Sequence, residues 1–284
     1  MHKNNIRNNS KFKIYGLRQI FCVLIGVKST ISYYSYPNHC ATLKTNKKMK
    51  SYITGLTFLI TITAFSQQMT WEHWQKEAAT NINLLPKYGQ VEKTKKQKKT
   101  DEIFIKTIMK LDSIPRQGSD RFIRLGFNFL YQNDLKTAMQ RFNQAYLLDS
   151  TNTDVYWGFG AVYMTLGQHQ KAKEQYEEGL KITPDNTHLL TDYGTYFIWQ
   201  YYALKPSDKE NAMINLDSAI TYLTKSYNLD STDQNTTFKL SILFYDKGDC
   251  DNAWKYYEAC KLLGGQPITE AYTKDLQKKC TLEE

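Results

Sequence analysis

The 284-residue sequence is short of most features that announce chemistry. Its 5 Cys form no Cys-x-x-Cys pair, and the 5 His show no regular ligand spacing, so no metal site is expected. No Gly-rich phosphate loop, His-Glu-x-x-His or Gly-x-Ser-x-Gly occurs, which leaves nucleotide hydrolysis, zinc proteolysis and hydrolase nucleophiles without support. Glu177 and Glu178 are adjacent, hence on different faces of a helix, and do not make a catalytic pair. Neither a catalytic residue nor a cofactor is expected. Acidic residues are missing altogether from residues 1–66, which carry ten Lys or Arg. The formal charge of +9 therefore belongs to that stretch, because residues 67–284 hold 27 basic and 28 acidic side chains. A body of net charge −1 gives no electrostatic argument for nucleic acid.

From Met49 the chain has a basic start, a short apolar run from Ile53 to Ile62, and small residues two apart at Ala64 and Ser66. These are the parts of a secretory signal spanning 49–66, with cleavage expected after Ser66. The run is shorter than the about 20 residues of a comfortable membrane span. The alternative is an uncleaved anchor, the one case in which a membrane partner is expected. No Cys follows the run, so lipoprotein attachment is not expected. Residues 1–48 have no amphipathic period; either translation starts at Met49 or they form a long leader, and they are set apart from the fold. The expected location is outside the inner membrane, periplasmic or extracellular.

What the body does have is a period of 34 residues. Leu125-Gly126 recurs as Phe159-Gly160 and Tyr193-Gly194, Ala138 as Ala172, and Phe142 as Tyr176. The next step is 47 residues, from Ala172 to Ala219, after which 34 returns with Ala253. One unit thus carries 13 extra residues, around Tyr202 to Leu216. Leu148-Asp149-Ser150-Thr151 and Leu229-Asp230-Ser231-Thr232 match across 81 residues. Apolar residues within each unit recur at three and four, so both halves are amphipathic helices. In the second unit these run Val155–Thr165 and Gln170–Ile182. Gly126, Gly160, Gly194 and Ser241, like the four Ala, stand where helices approach too closely for a branched side chain.

On these residues the chain resembles the tetratricopeptide repeat family, with units at 119–152, 153–186, 187–233 and 234–267. The third and fourth depart from the pattern, with Ser226 and Cys260 in place of Ala and no closing Pro. The resemblance implies an all-α, right-handed superhelical solenoid of helix-turn-helix repeats. Residues 67–118, with helical stretches Trp71–Leu84 and Asp101–Leu111, would form a cap at one end or an eroded extra repeat, with Lys93 to Lys99 between them a solvated basic loop or, as the alternative, a contact for an anionic partner. Residues 268–284 would supply a closing helix at the other.

The resemblance also implies a concave face lined by the first helix of each unit, where family members hold peptides or partner helices. Counted from the packed small residue, that face receives Ile123, Phe127, Leu130 and Tyr131, then Trp157, Ala161, Met164 and Thr165. Thr191, Thr195, Ile198 and Trp199 follow, and last Phe238, Ile242, Tyr245 and Asp246. Chaperone-binding members clamp a C-terminal carboxylate with Lys, Arg and Asn there; aromatic and aliphatic residues stand here, so no such clamp is expected. Of these, Ile123, Phe127, Tyr131, Trp157, Met164, Trp199, Phe238 and Tyr245 are the candidate partner contacts. Either the groove is open to a protein or peptide partner, or the 13-residue insertion or the N-terminal cap folds over it. The function expected is a non-catalytic interaction scaffold or assembly factor. A membrane-tethered structural subunit is the first alternative, and an enzyme accessory protein the second.

Three Cys fall in the body. Cys250 opens the last repeat's second helix, Cys260 lies about 15 Å further along it, and an antiparallel closing helix brings Cys280 back beside the start. Cys250 to Cys280 is the favoured bridge in an oxidising compartment; the alternative is that all three are reduced.

Overall fold

The computed structural model describes residues 69–281, so the expected signal segment 49–66 and the stretch before it lie outside the described residues. Eleven α-helices and no strands occur among the described residues. Helix α1 (Trp71–Ala78) is followed by two short 3-10 turns, then α2 (Lys95–Met109). Four helix pairs stack next: α3 (Pro115–Tyr131) with α4 (Leu135–Leu148), α5 (Asp154–Thr165) with α6 (His169–Ile182), α7 (Thr187–Leu204) with α8 (Lys209–Leu229), and α9 (Gln234–Lys247) with α10 (Cys250–Leu262). Helix α11 (Glu270–Lys279) closes the chain. The first helix of the stack starts at Pro115, four residues before the repeat frame, because Pro at the first helical turn presets its backbone.

The repeat is visible in local chemistry. The turns inside three pairs place a left-handed residue at equivalent positions, Asn133 (φ 62°), Gly167 (φ 71°) and Gly248 (φ 85°). Asp149 and Asp230, 81 residues apart, each accept the amide of the residue two further on, at 2.9 Å, and its hydroxyl, at 2.6 Å. Side chains of Asp134, Asn186, Asp208, Asp233, Asp249 and Thr269 accept backbone amides at the starts of their helices. The close approaches are real: a Cβ on Gly160 would stand 2.1 Å from the Tyr176 ring, and one on Gly126 2.4 Å from Phe142.

The 13 extra residues do not form a flap. They lengthen α7 to 18 residues and α8 to 21, against 12 and 14 in the pair before. Tyr201, Ala212 and Leu216 bury the added turns in a core of their own with Ile198 and Leu240. Outward, the extension meets Asp246, which accepts the Tyr202 hydroxyl at 2.8 Å and the Lys205 ammonium at 3.4 Å.

The N-terminal segment differs from the sequence expectation. The first helix stops at Ala78 rather than Leu84, and residues 82–90 run across α4 as tight turns. Lys87, Tyr88 and Gln90 are left-handed there, which for non-glycine residues costs about 1–2 kcal/mol each. Asn143, fully buried on α4, offsets that strain. It accepts the Tyr88 amide at 3.2 Å and donates to the carbonyls of Asn83 and Leu85 at 2.9 Å each. Lys87 is bonded to Glu178 at 2.6 Å. The segment thus lies on second helices, and the concave side is left to the first helices. The basic run is not a loop either. Lys95, Lys96, Lys98 and Lys99 lie on α2 itself, which starts at Lys95 rather than Asp101 because Thr94 and Gln97 close a capping box there. Lys93, just before it, pairs with Asp101 at 2.6 Å over the Tyr88 ring.

Candidate functional site

The first helices α3, α5, α7 and α9 enclose an open cavity of about 540 Å³. Its two halves differ in chemistry. One is apolar, formed by Phe127, Leu130 and Tyr131 from α3 with Trp157, Ala161 and Met164 from α5. The other is polar, formed by Thr191, Asp192 and Thr195 from α7 with Asp230, Asp233 and Lys239 from the fourth unit and the loop before it.

Trp157 joins the halves. Its ring packs on Phe127 at 3.9 Å between centroids, and the His188 ring lies parallel on its other side at 4.3 Å. Its indole N–H donates to Asp192 Oδ2 at 2.9 Å, fixing the ring's rotation. The three rings therefore make one pre-ordered wall, with little side-chain freedom left to lose on contact with a ligand.

The polar floor is built where the repeat pattern fails. Ser226, in place of the usual Ala, donates or accepts at 2.8 Å with Thr191, which is also 2.7 Å from Thr236. All three are buried. Lys239 is 4% exposed and donates to the Thr195 hydroxyl at 2.8 Å. Burial pushes its ammonium below the usual lysine range, against the pull of Asp192 and Asp233. Burial likewise holds the Asp192 carboxyl above the usual range, against Lys239, Trp157 and His188. The hydrogen bond with Asp154, at 3.1 Å, raises the His188 imidazole above its ordinary value despite burial. For Asp154 itself burial acts upward, but bonds from His188 and Asn186 outweigh it and hold the carboxyl low.

The sequence-derived contacts divide. Phe127, Tyr131, Trp157 and Met164 line the cavity, Tyr131 being 55% exposed. Ile123 is buried and borders a second, shallower depression beside Tyr131. Trp199 sits outside the cavity and stacks on His169 at 3.7 Å; that histidine opens α6 instead of lying in the turn before it. Phe238 and Tyr245 are not on an open face. Tyr272 of α11 packs edge-on against both, at 5.3 and 5.8 Å, and the Lys279 ammonium lies over Tyr245. The closing helix covers the fourth unit because its one large aromatic fits between those rings, with its hydroxyl 2.7 Å from Ser241. Cys250 and Cys280 are joined as a disulfide that ties this helix down, and Cys260 is a buried free thiol.

Asp192 and Lys239 escaped the groove count, which took positions three before and one, four and five after each small residue. Both lie two before it, in consecutive units, 47 residues apart and of opposite charge. That opposition at one repeat position was the signal available. Among the described residues no cluster of three potential metal ligands occurs, and no helix is long and apolar enough to cross a membrane.

The fold and the cavity together describe a solenoid of stacked helix pairs with a cavity between their first helices. Residues 129–191 match the tetratricopeptide repeat model. Similar solved structures include MamA, 16% identical, with 62% of this chain and 97% of that one covered at a TM-score of 0.39. PilF of Pseudomonas aeruginosa is 19% identical over 58% of this chain and 88% of that one, at 0.32. PilW, a type IV pilus biogenesis factor, is 17% identical over 57% and 85%, also at 0.32.

Proposed function

We propose that the chain is a non-catalytic protein-binding module that holds a short segment of a partner in the cavity between α3, α5, α7 and α9. The observation that carries this is the pre-ordered Phe127, Trp157 and His188 wall facing a buried polar floor. Such a site takes an apolar side chain on one half and a polar one on the other, with the backbone between them. Panning the chain, residues 67–284, against a random peptide library tests it. Enriched peptides should share a large apolar residue near a polar one, and should lose binding to Tyr131→Ala. No enrichment over that variant would overturn the reading.

The module acts outside a bacterial inner membrane, exported by the segment 49–66. The composition supports this: an acid-free basic start, an apolar run and Ala64-Phe65-Ser66. Intact mass of the native protein should give a chain beginning at Gln67, and a chain retaining Met49 would count against cleavage.

A further inference from the structure

We infer that the cavity selects a basic residue of the partner segment, and seats its ammonium or guanidinium against Asp192 and the Tyr176 hydroxyl. This rests on the reading of the cavity as a segment-binding site and names the chemistry it takes. The charges facing the cavity are unequal. Helices α3 and α5 contribute none, α7 contributes Asp192 and His188, and the fourth unit with its preceding loop contributes Asp230, Asp233 and Lys239. Carboxylates outnumber the ammonium three to one.

The cations present are already engaged. Lys239 is buried and bonded to Thr195, and His188 lies flat on Trp157 with Nδ1 on Asp154. Asp233 spends its oxygens capping α9, on the amides of Asn235 and Thr236, and Asp230 accepts from Thr232. Asp192 is different. Among the described residues its one hydrogen bond comes from Trp157, to Oδ2, so Oδ1 keeps its accepting capacity beside the cavity.

A second, independent observation marks the same spot. Tyr176 is fully buried, lines the cavity, and its hydroxyl has no hydrogen-bond partner among the described residues. Tyr176 and Asp192 line the same cavity, and the carboxylate pushes that phenol further up. A buried polar group without a partner is destabilising, and a ligand donor relieves that cost. A cation carries the donors that both oxygens lack, and the half-exposed ring of Tyr131 adds attraction within about 6 Å. An anion would meet only Lys239 and His188, both already engaged, and would face three carboxylates.

Three acetylated, amidated hexapeptides test the inference, alike except that Lys, norleucine or Glu stands two residues from a Trp. Fluorescence anisotropy should order them Lys, norleucine, Glu, with at least tenfold between the first and last. Asp192→Asn should cut the Lys peptide's affinity about tenfold and leave norleucine unchanged, whereas Lys239→Met should raise it for Lys. A merely structural effect would weaken all three peptides in both variants and would overturn the inference, as would a Glu peptide that binds as well as Lys. Should panning yield binders while none of the three hexapeptides binds, the basic selectivity is wrong and the groove reading stands. Failure of both experiments removes the groove reading itself.

Discussion

Replacing Cys250 and Cys280 together by Ser opens a link of sequence separation 30. In the chain-entropy account a loop of that length stabilises the fold by about 3.6 kcal/mol at 25 °C. Among the described residues, the other contacts of α11 are all with the fourth unit. It buries Tyr272 and Leu276, and the Trp254 indole donates to the Cys280 carbonyl at 2.7 Å. In a stack whose units touch only their neighbours, the loss should stay at that end. Without the link, α11 should fray and uncover Phe238, Ile242 and Tyr245, while α5 and α6 keep their protection. Hydrogen exchange by mass spectrometry, beside guanidinium unfolding under oxidising conditions, reads both effects. Loss of protection confined to α9, α10 and α11, with unfolding free energy lowered by about 2–4 kcal/mol, is the expected result. A variant within about 0.5 kcal/mol of wild type, or protection lost evenly along the chain, would refute the reasoning, as would peptide maps that find only free thiols.

Gly160→Ala should destabilise by about 2 kcal/mol, since the displaced Tyr176 ring is fully buried and overpacking costs more than the roughly 1 kcal/mol that Ala gains over Gly in a helix; thermal melting checks it. Asn143→Ala should cost about 2–4 kcal/mol, because it leaves the Tyr88 amide and two carbonyls of the left-handed turn without partners; a protease cut near residues 82–90 before global unfolding is the sign to look for. His188 should titrate above the ordinary histidine value of about 6.5, and Asp154→Asn should bring it down. The sign follows: a histidine raised on folding adds stability that is complete below the unfolded value and is lost as pH rises through the folded one. An NMR titration midpoint unmoved by Asp154→Asn would contradict the assignment.

The architecture was legible because a solenoid repeats its packing. Gly126, Gly160 and Gly194 recur where a Cβ would strike the facing ring or Leu223, and the same constraint writes itself into the sequence each time. Phe127, Tyr131, Trp157 and Met164 could be placed for the same reason. The fourth unit could not be read that way. What covers Phe238 and Tyr245 is α11, which belongs to no repeat, and its fit depends on one side chain, Tyr272, outside the period. The polar floor was hidden differently. Ser226 looks like erosion of a small-residue position, yet its hydroxyl completes a buried network with Thr191 and Thr236. Periodicity records shape, and the charges of Asp192 and Lys239 ride on positions whose shape it does not constrain.

The central claim is that the cavity, and no other apolar surface, holds the partner. Trp157 is a poor probe of it, because its truncation also breaks the stack with Phe127 and the bond to Asp192. Tyr131 is better: it lines the cavity and is more than half exposed, so its removal hardly touches the core. Leu262, 88% exposed and absent from the cavity lining, is the control. Affinity for a panned peptide, measured beside thermal melting for Tyr131→Ala and Leu262→Ala, is the direct test. Tyr131→Ala should lose about tenfold in affinity, or roughly 1.4 kcal/mol, with an unchanged melting temperature, and Leu262→Ala should lose nothing. Equal affinity in wild type and Tyr131→Ala, or a loss only in Leu262→Ala, would contradict the account.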